Sequence, residues 1–466
     1  MLSLVDDRYG TSRRSFLRAG LSTGSLVLPQ LFNSAFGADH KVVRDKAVVF
    51  IFMHGGPSQI ETFDPKMNAP TGNRSCTGEV KTTIPGITFG GTFPKLASRA
   101  NKLSIVRSFS FEGKSDHNLR PLIGPETFDA HLGCFFSRVA GSAGANTGIP
   151  NNVMLLPQSV DSTASPYPQV YGSFIRSGSL GSSYAPLIPG GATSEGSMQQ
   201  DMKLNLSRDR LDDRRNLFAK LDGLKKQLQI PGFDDQQRQA FEAIIGGAAN
   251  AFDISKEDPK TIEKYDTSKL CNPESIRLGP DGKQKGFYNN FLDHGKTLGK
   301  ELLLARRLVE AGCGFVALSS SFVWDMHGDA NSPGVEAGMN YVGPIFDHAV
   351  SAFLDDLQDR GLSDKVLVVA LGEMGRTPKI DEGYGGRNHW GKSASLMLSG
   401  GGLQMGRIIG QTTRDGGEPA TDPVTIANLY STIMHTLFDV GELRLVQGIP
   451  REIINLATGA EPIPGL

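Results

Sequence analysis

The sequence predicts an α/β fold, a mostly parallel central sheet flanked by helices. Three observations carry that expectation. Continuous apolar runs such as "KAVVFIFM" (46–53) and "KVLVVALG" (365–372) have the texture of parallel strands buried on both faces. Amphipathic stretches such as "LGKELLLARRLVEAG" (298–312) separate such runs, and strand–helix alternation implies a sheet covered by helices. The length, 466 residues, suits one large α/β domain with a substantial insert.

The chain opens with "TSRRSFLRAG" (11–20), adjacent arginines followed by Phe16, Leu17 and a broken apolar run to Phe32. This resembles a twin-arginine export signal, Ser-Arg-Arg-x-Phe-Leu-Lys, with Arg18 in the last place. The resemblance implies a signal segment over 1–38, the twin-arginine translocase as a partner, and delivery to the periplasm or cell exterior. The apolar run is too short and interrupted for a stable membrane span, and "SAFGAD" (34–39) offers small residues for cleavage. The one GxSxG match, "GLSTG" (20–24), lies inside this segment and is discounted as a nucleophile elbow.

The remainder, 39–466, reads as a single domain. "KAVVFIFM" runs directly into "HGGPSQIETFDPK" (54–66), and "KLSIVRSF" (102–109) is a second strand. Residues 150–200, rich in proline, glycine and serine, are expected to form long ordered loops near the mouth of a site. From about 204 to 266 the texture becomes helical, which suggests a helical insert or outer layer. Then follow the helix at 298–312, a strand at 313–320, a helix at 342–361 and the strand at 365–372. The strand "ASLMLSG" (394–400), a glycine-rich segment and a last helix, "TIANLYSTIMHTLFDV" (425–440), complete the order.

Composition narrows the function classes. Forty-eight basic residues against 49 acidic ones leave a net charge of -1, which gives no electrostatic footprint for nucleic acid. The four cysteines, Cys76, Cys134, Cys271 and Cys313, form no CxxC, so a structural zinc cluster or redox pair is not indicated. One or two disulfides remain open.

Polar residues fall where strands end, and that is where ligands bind in open α/β sheets. His54 follows the first strand, Asp325 and His327 follow the strand at 313–320, Glu373 follows the strand at 365–371, and His389 precedes the next. Asp64 and His117 join them as further candidates. Imidazoles and carboxylates gathered there suit zinc, manganese or a similar divalent ion, calcium included, as one ion or two. Such an ion would lower the pKa of a water and steady charge on an attacked oxygen. Each candidate has a plainer alternative. His54 could cap the turn at Gly55, Gly56 and Pro57, Glu373 could pair with Arg376, and His435 reads as structural within its helix. Ser58 is the best side-chain nucleophile, but "GGPSQIE" reads more simply as a helix start in which Ser58 caps and Glu61 completes a capping box. That same glycine turn could also cradle an anion, and both readings can hold together. Arg376 or Arg387 could grip the charged oxygens of a substrate.

Several segments, "MHGGPSQIETFDPK", "AFDISKEDPKTIEKYD", "LLLARRLVEAGCGFVAL", "WDMHGD", "LVVALGEMGRTPKI", "GRNHW" and "GGGLQMGRIIG", occur in an order that identifies a resemblance. Over roughly residues 44–445 the chain looks like the planctomycete-rich bacterial family catalogued as domain of unknown function 1501, which is similar in fold to the alkaline phosphatase and sulfatase superfamily. The resemblance implies an alkaline-phosphatase-like sheet with one or two metal ions held at its edge. It makes Asp325 and His327 a ligand segment, Glu373 the replacement for a usual aspartate, and His389 a final histidine ligand. The chain departs from the pattern at Met374, where a histidine is usual, and at "HGGPS", where an aspartate is expected. Asn388 stands where aspartate is usual, "GQTT" (410–413) replaces a Thr-Asp pair, and no CxPxR is present. The expected function is an exported metal-dependent hydrolase of a phosphate or sulfate ester, small-molecule or glycan. The alternative is an exported binding protein with a degenerate hydrolase fold.

Overall fold

A computed structural model of the chain describes residues 42–144, 147–190, 249–279, 281–319 and 321–466. The export segment and most of the expected helical insert lie outside the described residues. Of that insert, only its end is described, as short helical turns at Ala249–Phe252, Ile254–Lys256 and Pro259–Lys264.

The strands in chain order are β1 (Ala47–Phe52), β2 (Glu79–Lys81), β3 (Thr88–Gly90), β4 (Ser104–Ser110), β5 (Asn152–Leu155) and β6 (Phe315–Leu318). They continue with β7 (Val366–Leu371), β8 (Gly375–Arg376), β9 (His389–Trp390), β10 (Ala394–Gly400), β11 (Arg407–Ile409) and β12 (Val424–Thr425). The central sheet has the order β11-β4-β10-β7-β1-β6-β5, with β12 beside β4. β1 pairs in parallel with both β6 and β7, aligning Val49 with Val316 and Val368. Among these strands β10 alone runs antiparallel, to β7 and β4. The reason is local: the segment joining β7 to β10 stays at one end of the sheet, so β10 must start where β7 stopped.

β1 shows why the apolar runs become central strands. Ala47, Val49 and Ile51 enter one core, while Val48, Phe50 and Phe52 enter the other. Both sheet faces are therefore covered, and full burial contributes about 1.5–3 kcal/mol for each large apolar side chain. Helices α1 (Gln59–Thr62), α2 (Leu132–Ala140), α3 (Tyr288–Glu310), α4 (Val335–Asp359), α5 (Ile426–Leu437) and α6 (Arg451–Thr458) supply the cover. Residues of α3 and α4 build the first core, and those of α2, α5 and α6 the second.

Several boundaries differ from the sequence reading. α3 begins ten residues before the expected 298, running through Gly295 and Gly299. A Cβ on Gly299 would lie 1.8 Å from the Tyr265 carbonyl, and one on Gly295 would lie 2.9 Å from the Tyr341 hydroxyl. These glycines let neighbouring chain approach; they do not end the helix. α4 begins at Val335 and carries Pro344 inside it, so the proline does not mark its start. The segment expected as loops from 150 contains edge strand β5, paired in parallel with β6. All four cysteines are free thiols. Among the described residues no helix is long and apolar enough to cross a membrane.

Candidate metal centre

Three strand ends and one two-stranded ladder deliver the candidate residues to one edge of the sheet. β1 is followed by His54, β6 by the segment carrying Asp325 and His327, and β7 by Glu373. β8 and β9 pair Arg376 with His389. The turn after β1 needs glycine: Gly55 has φ +112°, and a Cβ there would lie 2.4 Å from the Asp325 amide nitrogen. That close approach is what sets the His54 turn against the Asp325 loop.

His117, Asp325, His327 and His389 each offer one ligand atom, and these atoms all lie within 4.8 Å of one another. Asp325 Oδ1 is central. It stands 2.9 Å from His327 Nε2, 3.5 Å from His117 Nε2 and 3.9 Å from His389 Nε2. Two donors at about 2.0–2.2 Å from a four-coordinate ion are separated by about 3.4 Å. The observed separations bracket that value. Asp325 is 6 % exposed, yet its carboxyl is held well below the ordinary range. Burial opposes the charge, but the facing imidazoles of His117 and His327 and the positive charge of Arg376 outweigh it.

Unsatisfied nitrogens test whether these residues fit a cation. Nε2 of His54, His117 and His389 is buried without a hydrogen-bond partner in each case. Buried ring nitrogens normally find partners, and three orphans gathered beside two carboxylates fit a bound cation. Orienting bonds point the same way. His117 Nδ1 lies 2.8 Å from Glu373 Oε1, and His327 Nδ1 lies 3.2 Å from Asn388 Oδ1. With the proton on Nδ1, each ring donates to its oxygen and turns a bare Nε2 toward Asp325, the usual support of a metal-binding histidine. Asn388 supplies that acceptor although a carboxylate was expected from the family pattern.

The histidines respond differently to their surroundings. Burial, followed by the charges of Arg376 and His117, pushes His389 down to about 4. Burial pushes His54 down to about 4 despite the facing Glu373. Both are therefore neutral at physiological pH, as ligands must be. His117 is raised: burial opposes its charge, but Asp325 and Glu373 prevail.

Glu373 and His54 lie behind this group. Both oxygens of Glu373 accept from the Gly55 N–H, at 3.0 and 3.1 Å, and His54 Nε2 stands 3.8 Å from Oε1. The glycine turn thus cradles the protein's own carboxylate, and the expectation of an external anion there is corrected. Glu373 does not pair with Arg376 either. The Arg376 guanidinium donates to Asp325 Oδ1 at 2.6 Å, to the Gly56 carbonyl at 2.8 Å and to the Gly55 carbonyl. It also reaches the Arg387 carbonyl at 3.1 Å and His327 Nε2 at 3.2 Å. So engaged, it braces the site and has no free edge for a substrate.

Three other candidates stand elsewhere. Arg387 is fully buried, donating to Glu61 Oε1 at 2.7 Å and to the carbonyls of Asn73, Arg74, Thr377 and Pro378. Every N–H is used, so it ties α1 to the neighbouring loops and grips no substrate oxygen. Ser58 caps α1, its Oγ accepting from the Glu61 N–H at 3.3 Å. The capping box does not close, because the Glu61 carboxylate turns to Arg387, the Ser75 hydroxyl and the Cys76 N–H. Asp64 pairs with Lys66 at 3.1 Å and Arg107 at 3.3 Å and accepts from Thr412 at 2.5 Å. Those partners neutralise it outside the cluster. His435 reaches the Ala457 carbonyl at 3.2 Å, a bond between α5 and α6 that fits its structural reading.

Aromatic residues near His54 were not foreseen. Tyr167 hydrogen-bonds His54 Nδ1, the two rings lying within 14° of coplanar with centroids 5.6 Å apart. Tyr171 and Phe322 meet the same ring edge-on, each at 4.8 Å. They come from a proline- and glycine-rich loop and a strand end, where no periodicity marks them.

The chain belongs to the family described as protein of unknown function (DUF1501), which it matches over residues 45–451. No curated protein matches the sequence. Among solved structures, the chain is 10% identical to Ps i-CgsB in complex with k-i-k-neocarrahexaose, with a TM-score of 0.32, covering 84% of this chain and 72% of that one. Another structure of Ps i-CgsB gives 10% identity and a TM-score of 0.33 over 90% of this chain and 77% of that one. The lipoteichoic acid synthase LtaP from Listeria monocytogenes gives 10% identity and a TM-score of 0.27 over 94% and 80%.

Proposed function

We propose that this DUF1501 protein is a divalent-metal-dependent hydrolase of phosphate or sulfate esters, glycan esters included. We further propose export through the twin-arginine translocase to the periplasm or cell exterior, which rests on "TSRRSFLRAG" alone. The observation that carries the enzymatic reading is the convergence of His117, Asp325, His327 and His389 on one point, with ligand atoms within 4.8 Å of one another. Three imidazoles and one carboxylate suit zinc or manganese better than calcium, which prefers an all-oxygen shell. Glu373 orients His117 through Nδ1, and the gap between its Oε1 and His54 Nε2 offers a second cation position. Bound there, divalent metal would activate a water and stabilise charge on the attacked ester.

Charge supports an anionic substrate. Asp325 and Glu373 against Arg376 leave the cluster with a single negative charge. One divalent ion turns this into a single positive charge at a partly enclosed site, which favours a phosphate or sulfate group. The second reading, anion binding without turnover, is favoured by the commitment of Ser58, Arg376 and Arg387 to the scaffold. Elemental mass spectrometry on purified protein, followed by para-nitrophenyl phosphate and sulfate assays, separates the two. Bound metal with ester cleavage supports the hydrolase, whereas metal without cleavage, or no metal after incubation with zinc, manganese or calcium, removes it and leaves the binding protein.

A further inference from the structure

Tyr167 is 5 % exposed, and its hydroxyl meets His54 Nδ1, while the opposite nitrogen of that ring, Nε2, has no partner and faces Glu373 Oε1 at 3.8 Å. A neutral imidazole carries one proton. If it sits on Nε2, that nitrogen cannot hold a cation. If it sits on Nδ1, Nε2 is bare and the tyrosine oxygen must accept. The tyrosine then needs an acceptor for its own O–H. Ser319, fully buried beside the Tyr167 hydroxyl with an Oγ that makes no hydrogen bond, is free to take it up.

We propose that Tyr167 is a positioning residue for the metal centre, accepting the Nδ1–H of His54 and donating to Ser319 so that a bare Nε2 joins Glu373 in holding a cation. This rests on the metal-dependent reading above. The proton count does not change: imidazole and phenol keep one proton each, and only the nitrogen that carries the imidazole proton is selected. The ring is held in place as well. Phe52 stacks on His54 at 4.9 Å, and Tyr171 and Phe322 meet the same ring edge-on at 4.8 Å, which packs it against turning to trade nitrogens. The phenol therefore acts as the orienting partner that carboxylates and carbonyls supply to other metal-binding histidines.

The test combines zinc titration of the full chain against a chelating dye with selective 15N-histidine spectra, for wild type, Tyr167→Phe, His54→Ala and the double variant. Wild type should show a second, weaker zinc equivalent, with His54 protonated on Nδ1 when loaded. Tyr167→Phe should weaken that equivalent about 10- to 100-fold and leave the tighter one unchanged. In the His54→Ala background, adding Tyr167→Phe should cost nothing more. Circular dichroism and denaturant midpoints identify a variant that simply fails to fold, in which case Ser319→Ala, lacking only the second acceptor, provides the same readout. Equal zinc affinities with and without the phenol, or His54 protonated on Nε2 when loaded, would overturn the proposal and leave the hydrolase reading standing. A wild type that binds no zinc overturns both.

Discussion

Arg376 Nη2 lies 2.6 Å from Asp325 Oδ1, and the same guanidinium holds the carbonyls of Gly55 and Gly56. One side chain thus fastens together the ends of β1, β6 and β7. Replacing it with methionine should strand a buried carboxylate, costing about 3–5 kcal/mol of stability. Lysine keeps the charge but cannot span several acceptors at once, so it should recover only part of the loss. Urea denaturation of the two variants measures the difference; equal midpoints for arginine, lysine and methionine would contradict this role.

The Glu61–Arg387 pair is fully buried on both sides. Arg387→Met alone should destabilise by about 3–5 kcal/mol, whereas pairing it with Glu61→Leu should restore much of the loss by removing the stranded charge. A double-mutant cycle in guanidinium reads the coupling. Metal content in either folded variant should remain that of wild type, since neither residue faces the cluster.

Asp325→Ala and His389→Ala each remove a ligand of the four-residue group and should lower bound zinc by at least tenfold in affinity. Asp64→Asn should leave zinc binding unchanged, because Asp64 is neutralised by Lys66 and Arg107. Zinc titration distinguishes them directly. Loss of zinc on changing Asp64 would show that the ligand set is drawn wrongly.

His131 caps α2, its Nδ1 accepting from the Gly133 N–H at 3.1 Å, and burial pushes it down to about 3. The unfolded chain binds a proton near pH 6.5 while the folded one does not. Stability is therefore fully present above that value and falls as the pH drops from about 6.5 toward 3, by on the order of a few kcal/mol. His131→Asn keeps a capping acceptor without a titrating ring. Its melting temperature should depend less steeply on pH over that window, as calorimetry between pH 7 and 4 would show.

The linear chain by itself determined the frame. Short, β-branched runs that are apolar at every position read as strands covered on both faces, and residues that follow parallel strands gather at one end of the sheet. The same pattern puts His54, Asp325, His327, Glu373 and His389 together at the strand ends. Tertiary structure decided how each charge was used. Arg387 and Glu61 are 326 positions apart, and Arg376 and Asp325 are 51 apart, so nothing local announces either pair. Asp64 was lost to Lys66 and Arg107 in the same way, while His117 was drawn in from a loop with no periodic signal. Tyr167, from a stretch readable only as loop, became the partner of His54. Burial explains the division. Apolar patterning records how far a residue lies from water, but a buried charge must be matched by whatever partner the folded chain brings within about 3 Å, and that match exists only in three dimensions.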